Sequence, residues 1–203
     1  MSPVLALGAT ANPLELVALG DSLTQGYGLA PEDGLVPQLQ RWLTDHGAEV
    51  TVLNAGVSGD TTAGGRARLD WSLTDHTDAL IVELGGNDIL RGLPPEQARA
   101  NLDAILTEAR GRNLPVLLIG LPAPGNYGPD YKAAFDTLWP ALAAKHGALL
   151  LDNLFTPILN APPEVRATVK LMQDDGLHPA PAGVRLIVEF LGPHVLDLLA
   201  QVP

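Results

Sequence analysis

Cysteine is absent from the 203 residues. That excludes disulfides, thiol nucleophiles and zinc–thiolate sites together, and it leaves the redox compartment open. No His-rich tract takes its place, so neither a metal nor another cofactor is expected. Basic residues are scarce: 12 Lys and Arg stand against 23 Asp and Glu, a net charge of -11. A surface of that sign repels nucleic acid and anionic membrane faces and favours solubility, so no nucleic-acid partner is expected. Long apolar runs are also lacking. None approaches the ~20 residues that span a bilayer, so no integral membrane segment is expected. The first 40 residues contain no Lys or Arg. Ala9-Thr10-Ala11, with Val4-Leu5-Ala6-Leu7 before it, is therefore a poor secretory signal. Residues 1–14 read as an N-terminal arm of a cytoplasmic protein. The alternative is a cropped signal remnant, which would make the protein an exported one. No internal repeat or linker interrupts the rest, so 15–203 are expected to form a single domain, as a monomer or small homo-oligomer.

What is present is a regular alternation. Five apolar segments read as strands: 15–19, 49–54, 78–84, 115–121 and 148–151. Leu35, Val36, Leu39, Trp42 and Leu43 repeat at helical spacing, which predicts an amphipathic helix over 33–46 ended by Gly47. Further helices are expected from Ala63 to Leu73, from Pro94-Pro95 to Ala109, over 130–145 and after Pro179. Pro140 should bend the fourth, and Gly192-Pro193 should kink or divide the last. Residues 152–175 read as a looser region with one short helix. Strands alternating with helices predict a mostly parallel sheet between helical layers. In such sheets ligands sit beyond the carboxyl ends of the strands. The unusual turns all fall there, after strands one to four.

The first of those turns is Leu19-Gly20-Asp21-Ser22. Ser22 at the end of a strand, beside a helix N-terminus, suits a nucleophile; as an isolated feature it reads equally as an N-cap. The second turn, Asn54 through Gly59-Asp60, offers the Gly59 amide as an oxyanion donor. The third, Gly85-Gly86-Asn87-Asp88, offers the Asn87 side chain. The plainer readings are a turn glycine and a turn-forming asparagine. Among five histidines, His46, His76 and His146 stand at helix ends or polar turns, and His194 lies inside the last helix. His178 differs because Asp175, three residues earlier on one tight turn, can reach its Nδ1 and leave the other nitrogen free. Leu23, Leu90, Leu93, Leu121, Tyr127 and Leu177 near the strand ends are candidates for an apolar acyl pocket, with core packing as the alternative.

Gly20-Asp21-Ser22-Leu23, the Asn54–Asp60 stretch, Gly85-Gly86-Asn87-Asp88 and Asp175-Gly176-Leu177-His178-Pro179 together resemble the four sequence blocks of the SGNH (GDSL) hydrolases, in the family's order. Val82-Glu83-Leu84, Arg91-Gly92, Asn126-Tyr127-Gly128 and Met172-Gln173-Asp174 are similar to the bacterial multifunctional esterase group within it. The resemblance implies a flavodoxin-like three-layer α/β sandwich, with a five-stranded parallel sheet of order 2-1-3-4-5 and helices on both faces. It implies Ser22 as nucleophile, His178 as base, Asp175 as its partner, and an oxyanion hole of Ser22, Gly59 and Asn87. The substrate would be a small acyl ester, hydrolysed through an acyl-enzyme. Gly125 stands where the group often has proline, which should loosen that loop.

Other readings use the same residues or the same fold. A carbohydrate acetylesterase would differ only in its pocket. Acyl-CoA hydrolysis would need a local arginine patch, such as Arg66, Arg68 or Arg91, to offset the acidic surface. A non-catalytic flavodoxin-like binding module is the reading from a different class, but no glycine-rich cradle followed by lysine is present. The Gly-x-Ser-x-Gly elbow of α/β-hydrolases is not met, because Thr24 stands at its last glycine.

Overall fold

β1 (Leu14–Gly20) is the spine on which the other elements are placed. It is followed by α1 (Ser22–Gln25), α2 (Leu35–Asp45), β2 (Val50–Gly56), α3 (Thr62–Ala67) and α4 (Leu69–Ser72). Then come β3 (Thr77–Glu83), α5 (Gly86–Leu90), α6 (Pro95–Gly111), β4 (Val116–Ile119) and α7 (Pro129–His146). β5 (Leu149–Leu151), α8 (Thr156–Leu159), α9 (Pro163–Thr168) and α10 (Pro181–Leu199) complete the order. These bounds come from a computed structural model, which describes residues 13–203. The expected arm therefore lies outside the described residues, apart from Pro13 and Leu14, and Leu14 already pairs in β1.

All strands are parallel, in the order β2-β1-β3-β4-β5. β3 explains the layering. Successive side chains of a strand face opposite ways, yet Ala79, Leu80, Ile81 and Val82 are all buried. Both faces must therefore be covered. α2, α8 and α10 pack together as one helical group, and α3, α6 and α7 as another. Truncating Leu80 to alanine in this interior would cost about 2–5 kcal/mol. No helix among the described residues is long and apolar enough to cross a membrane.

The register sets the stage for the site. Gly20 pairs with Gly56 on one side and with Glu83 on the other, so the three strands end in one row. The loops that leave this row carry Ser22, Gly59 and Asn87.

Several expectations need correction. The loop after β1 opens with a helical turn, α1. The 63–73 helix breaks at Arg68, which caps α3 and opens α4. The segment after Gly85 is α5 rather than a loop. Residues 152–175 hold two helices rather than one. Gly192-Pro193 does not divide the last helix, and the helix that holds Pro140 also runs on through it. Each proline forfeits one hydrogen bond, to the carbonyl of Asp136 or Glu189. Buried neighbours on both sides, Leu138 and Leu142 in α7 and Leu191 and Val195 in α10, hold the helix by packing.

Candidate active site

Ser22 is the first residue of α1, and Asp21 is its N-cap: Asp21 Oδ1 accepts the Leu23 amide at 3.1 Å. The capping role that sequence reading left open for Ser22 thus belongs to Asp21. A helix start leaves its first amides without intrahelical acceptors, so the Ser22 amide faces no competitor within α1. Close packing holds the turn. A Cβ on Gly20 would lie 2.8 Å from Glu83 Oε2 and overlap Thr24, so only glycine allows strand and turn to approach this closely.

His178 arrives from a loop closed at its base. Met172 and Pro179 form an antiparallel bridge, and the Gln173 amide donates to the His178 carbonyl at 2.8 Å. At the tip Asp175 Oδ1 accepts the amides of Leu177 (2.9 Å) and His178 (3.0 Å). Asp175 Oδ2 accepts Nδ1–H of His178 at 2.6 Å, and the Ser22 hydroxyl donates to His178 Nε2 at 2.8 Å. The three side chains form one line, although 156 positions separate serine from histidine. The His178 amide, then its imidazole, then the Leu177 amide hold the Asp175 carboxyl at about 2, below its ordinary 3.8. Tyr27, which sequence reading did not single out, lies against the imidazole with ring centroids 4.8 Å apart.

The two other predicted oxyanion donors come from the neighbouring turns. Asn87 Nδ2 donates one hydrogen to Asp21 Oδ2 at 3.1 Å, which orients the amide and leaves its second hydrogen available. Gly59 has φ +84°, a backbone that side chains rarely adopt. Arg91 Nη2 donates to its carbonyl at 2.7 Å. Gly59 does not line the cleft described below. Its loop is tied to the nucleophile turn where the Val57 amide donates to the Gly20 carbonyl at 3.1 Å, and where Ser58 meets the Gln25 side chain. Asp88 staples the third turn to α3, accepting the Thr62 amide at 2.8 Å and its hydroxyl at 2.6 Å.

Ser22, Asn87 and His178 open into a cleft of about 750 Å³. Of the predicted pocket residues, Leu23, Leu90, Leu121 and Leu177 line it. Leu90 and Leu177 are half exposed, whereas Leu121 is buried. Leu93 and Tyr127 are not brought there. The Leu93 carbonyl accepts the Tyr131 hydroxyl, and Tyr127 packs on Tyr131 and donates to the Leu90 carbonyl, so it braces the end of α5 instead. The opposite wall was missed: Phe155, Ile158 and Leu159 of α8 and its approach line the cleft. Their i, i+3, i+4 spacing marks one helical face but does not place that face at the cleft. The Arg66–Arg68–Arg91 patch does not form as a free cluster. Arg68 and Arg91 are engaged with backbone carbonyls, and Arg68 also with Asp60. His146 stands in the last turn of α7, as its place at a helix end implied, with its ring buried and Nε2 2.6 Å from Asp103.

A family model described as GDSL-like Lipase/Acylhydrolase matches residues 18–186. The chain belongs to this family. It is 40% identical over 185 residues to esterase TesA of Pseudomonas aeruginosa, covering 91% of this chain and 89% of TesA. An arylesterase of Vibrio mimicus is 36% identical over 186 residues, covering 91% and 90%. Among solved structures, TesA matches with a TM-score of 0.79 and 38% identity over 91% of this chain and 99% of its own. The SGNH-hydrolase family esterase AlinE4 matches with a TM-score of 0.74 and 40% identity, covering 93% and 98%. The five-stranded sheet is thus the SGNH hydrolase fold, and the chain is a carboxylic ester hydrolase of the GDSL family.

Proposed function

We propose that this GDSL-family hydrolase cleaves short-to-medium acyl esters through an acyl-enzyme on Ser22. The observation that carries the reading is the hydrogen-bonded line from Asp175 through His178 to Ser22, opening into a cleft walled by aliphatic side chains. Ser22 Oγ attacks the ester carbonyl carbon while His178 Nε2 takes the hydroxyl proton. The Asp175 carboxylate keeps Nδ1 protonated and balances the imidazolium. The tetrahedral oxyanion accepts hydrogen bonds from the amides of Ser22 and Gly59 and from the Asn87 side chain. Each such donor is worth about 2.7–4 kcal/mol in the transition state. Collapse breaks the bond to the alkoxy group, which leaves as the alcohol with the proton from Nε2. Water, deprotonated by His178, then attacks the acyl carbon and releases the carboxylic acid and Ser22.

The lining supports an acyl chain rather than a sugar. Ile89, Leu90, Phe155, Ile158 and Leu159 supply apolar surface on both walls, and the volume suits a chain of medium length. A series of p-nitrophenyl esters of increasing chain length tests the reading. It predicts that kcat/KM climbs beyond acetate and that Ser22→Ala lowers kcat by more than about 10³-fold. Undiminished turnover by Ser22→Ala would refute the mechanism. Preference for acetylated sugars over every p-nitrophenyl ester would place the protein with the carbohydrate acetylesterases.

A further inference from the structure

A second carboxyl group lies under the nucleophile turn, and the acyl transfer above does not use it. Glu83, the last residue of β3, is fully buried. The sheet register sets it beside Gly20. Its Oε2 accepts the Thr24 hydroxyl at 2.9 Å and, more weakly, the Asp21 amide at 3.4 Å. Its Oε1 is buried with no hydrogen-bond donor among the described residues. Asp21, whose amide makes that weaker contact, is itself only 2% exposed, and its charge acts on Glu83. No lysine or arginine among the described residues pairs with either acid. Arg68 approaches the turn at the Gly20 carbonyl, at 2.8 Å, and His178, whose Nε2 meets Ser22 next to Asp21, is the other titratable group that acts on the Asp21 charge.

Two carboxylates in one dry site, without a cation, repel each other and are poorly solvated. One proton removes both problems and converts the idle oxygen of Glu83 into a donor. We infer that Glu83 is a positioning residue that works as a neutral acid, hydrogen-bonded to Asp21, and that it thereby holds the Asp21–Asn87 link that aims the Asn87 amide at the oxyanion. The electrostatics agree on which acid keeps the proton. Burial first, and the Asp21 charge second, push Glu83 well above its ordinary range, with only Thr24 and backbone amides opposing. Burial raises Asp21 as well, but the Leu23 amide, the Asn87 side chain and His178 all stabilise its charge.

The inference rests on Asn87 serving as an oxyanion donor, so its test includes Ser22→Ala as a separate check on the parent mechanism. Glutamine is the discriminating replacement. Its oxygen can accept from Thr24 and the Asp21 amide, and its NH₂ is a permanent donor toward Asp21. Glu83→Gln is expected to keep kcat within about threefold, whereas Glu83→Ala, which leaves Asp21 unsupported, loses more than about tenfold in kcat with KM little changed. Stability gives a readout that needs no turnover. A carboxyl neutral in the folded protein but ionised when unfolded loses stability as pH rises above its ordinary 4.5. The Tm of Glu83→Gln should therefore gain on that of wild type as pH increases from about 5 to about 8. This comparison stands even if Glu83→Ala fails to fold. A value of Tm for Glu83→Gln minus Tm for wild type that stays constant or falls with rising pH would overturn the inference. So would a Glu83→Gln enzyme that is folded yet as impaired as Glu83→Ala, or full kcat in Glu83→Ala. If Ser22→Ala keeps turnover, the parent mechanism fails, whatever Glu83 does.

Discussion

Asp175 is stabilised as a carboxylate by the backbone that follows it. The amides of His178 and Leu177 converge on one carboxylate oxygen, and the imidazole takes the other. The carboxyl is consequently held at about 2, against 3.8. A depressed acid stabilises the fold above its ordinary value and loses that contribution as pH falls through the depressed one. The stability difference between wild type and Asp175→Asn, present at about pH 5, should therefore close between 3.8 and about 2 in urea unfolding. At neutral pH the same variant can still accept both amides but cannot balance an imidazolium, so kcat should fall by on the order of 10³–10⁴-fold. This pair was legible in the sequence because its geometry is local: three residues on one turn leave few alternatives. Asn87 was singled out in the sequence by its place after the third strand. Its link to Asp21 was not legible, because 66 positions separate them and no periodicity encodes that contact. Leu93 and Tyr127 show the converse error, since nearness in sequence to a strand end does not decide which way a side chain faces.

At the scale of elements, the loop that carries Gly59 is held by Arg68. Its Nε meets Asp60 Oδ2 at 2.6 Å, Nη1 the Ala55 carbonyl at 2.7 Å and the Ser72 hydroxyl at 3.2 Å, and Nη2 the Gly20 carbonyl at 2.8 Å. One planar fork thus joins the ends of β1 and β2 to the loop after Gly59 and to α4. A lysine cannot reproduce that fan of donors. We expect Arg68→Lys to cost about 1–3 kcal/mol in thermal or urea unfolding, and to lower kcat more than it raises KM, because Gly59 loses its anchor. A folded variant with unchanged kcat would show that the loop holds its shape without the clamp. Sequence periodicity ran the α3 pattern through Ala63, Ala67 and Leu69 as one helix. The break at Arg68 escaped it, because the cause is this long-range fork and no local breaker marks it. α5 was missed for another reason: it is five residues long, too short to show a period.

Across the whole molecule, chemistry depends on bringing together segments that are remote in the chain. The strand alternation and the terminal turns made the sheet and the location of the site legible, and the family resemblance supplied the strand order. The far wall of the cleft was not legible, because Phe155, Ile158 and Leu159 reach it only after β5 has been laid beside β4. The proposed chemistry turns on the local line from Ser22 through His178 to Asp175 rather than on the acidic charge of -11. Ser22 should accordingly be activated in the folded chain alone. Labelling with a fluorophosphonate, read by mass spectrometry of the intact and digested protein, tests this most directly. The account predicts one phosphonyl adduct per native chain, on Ser22, and none when the protein is unfolded in urea or carries His178→Ala. An adduct on another residue, or equal labelling of the unfolded chain, would contradict it.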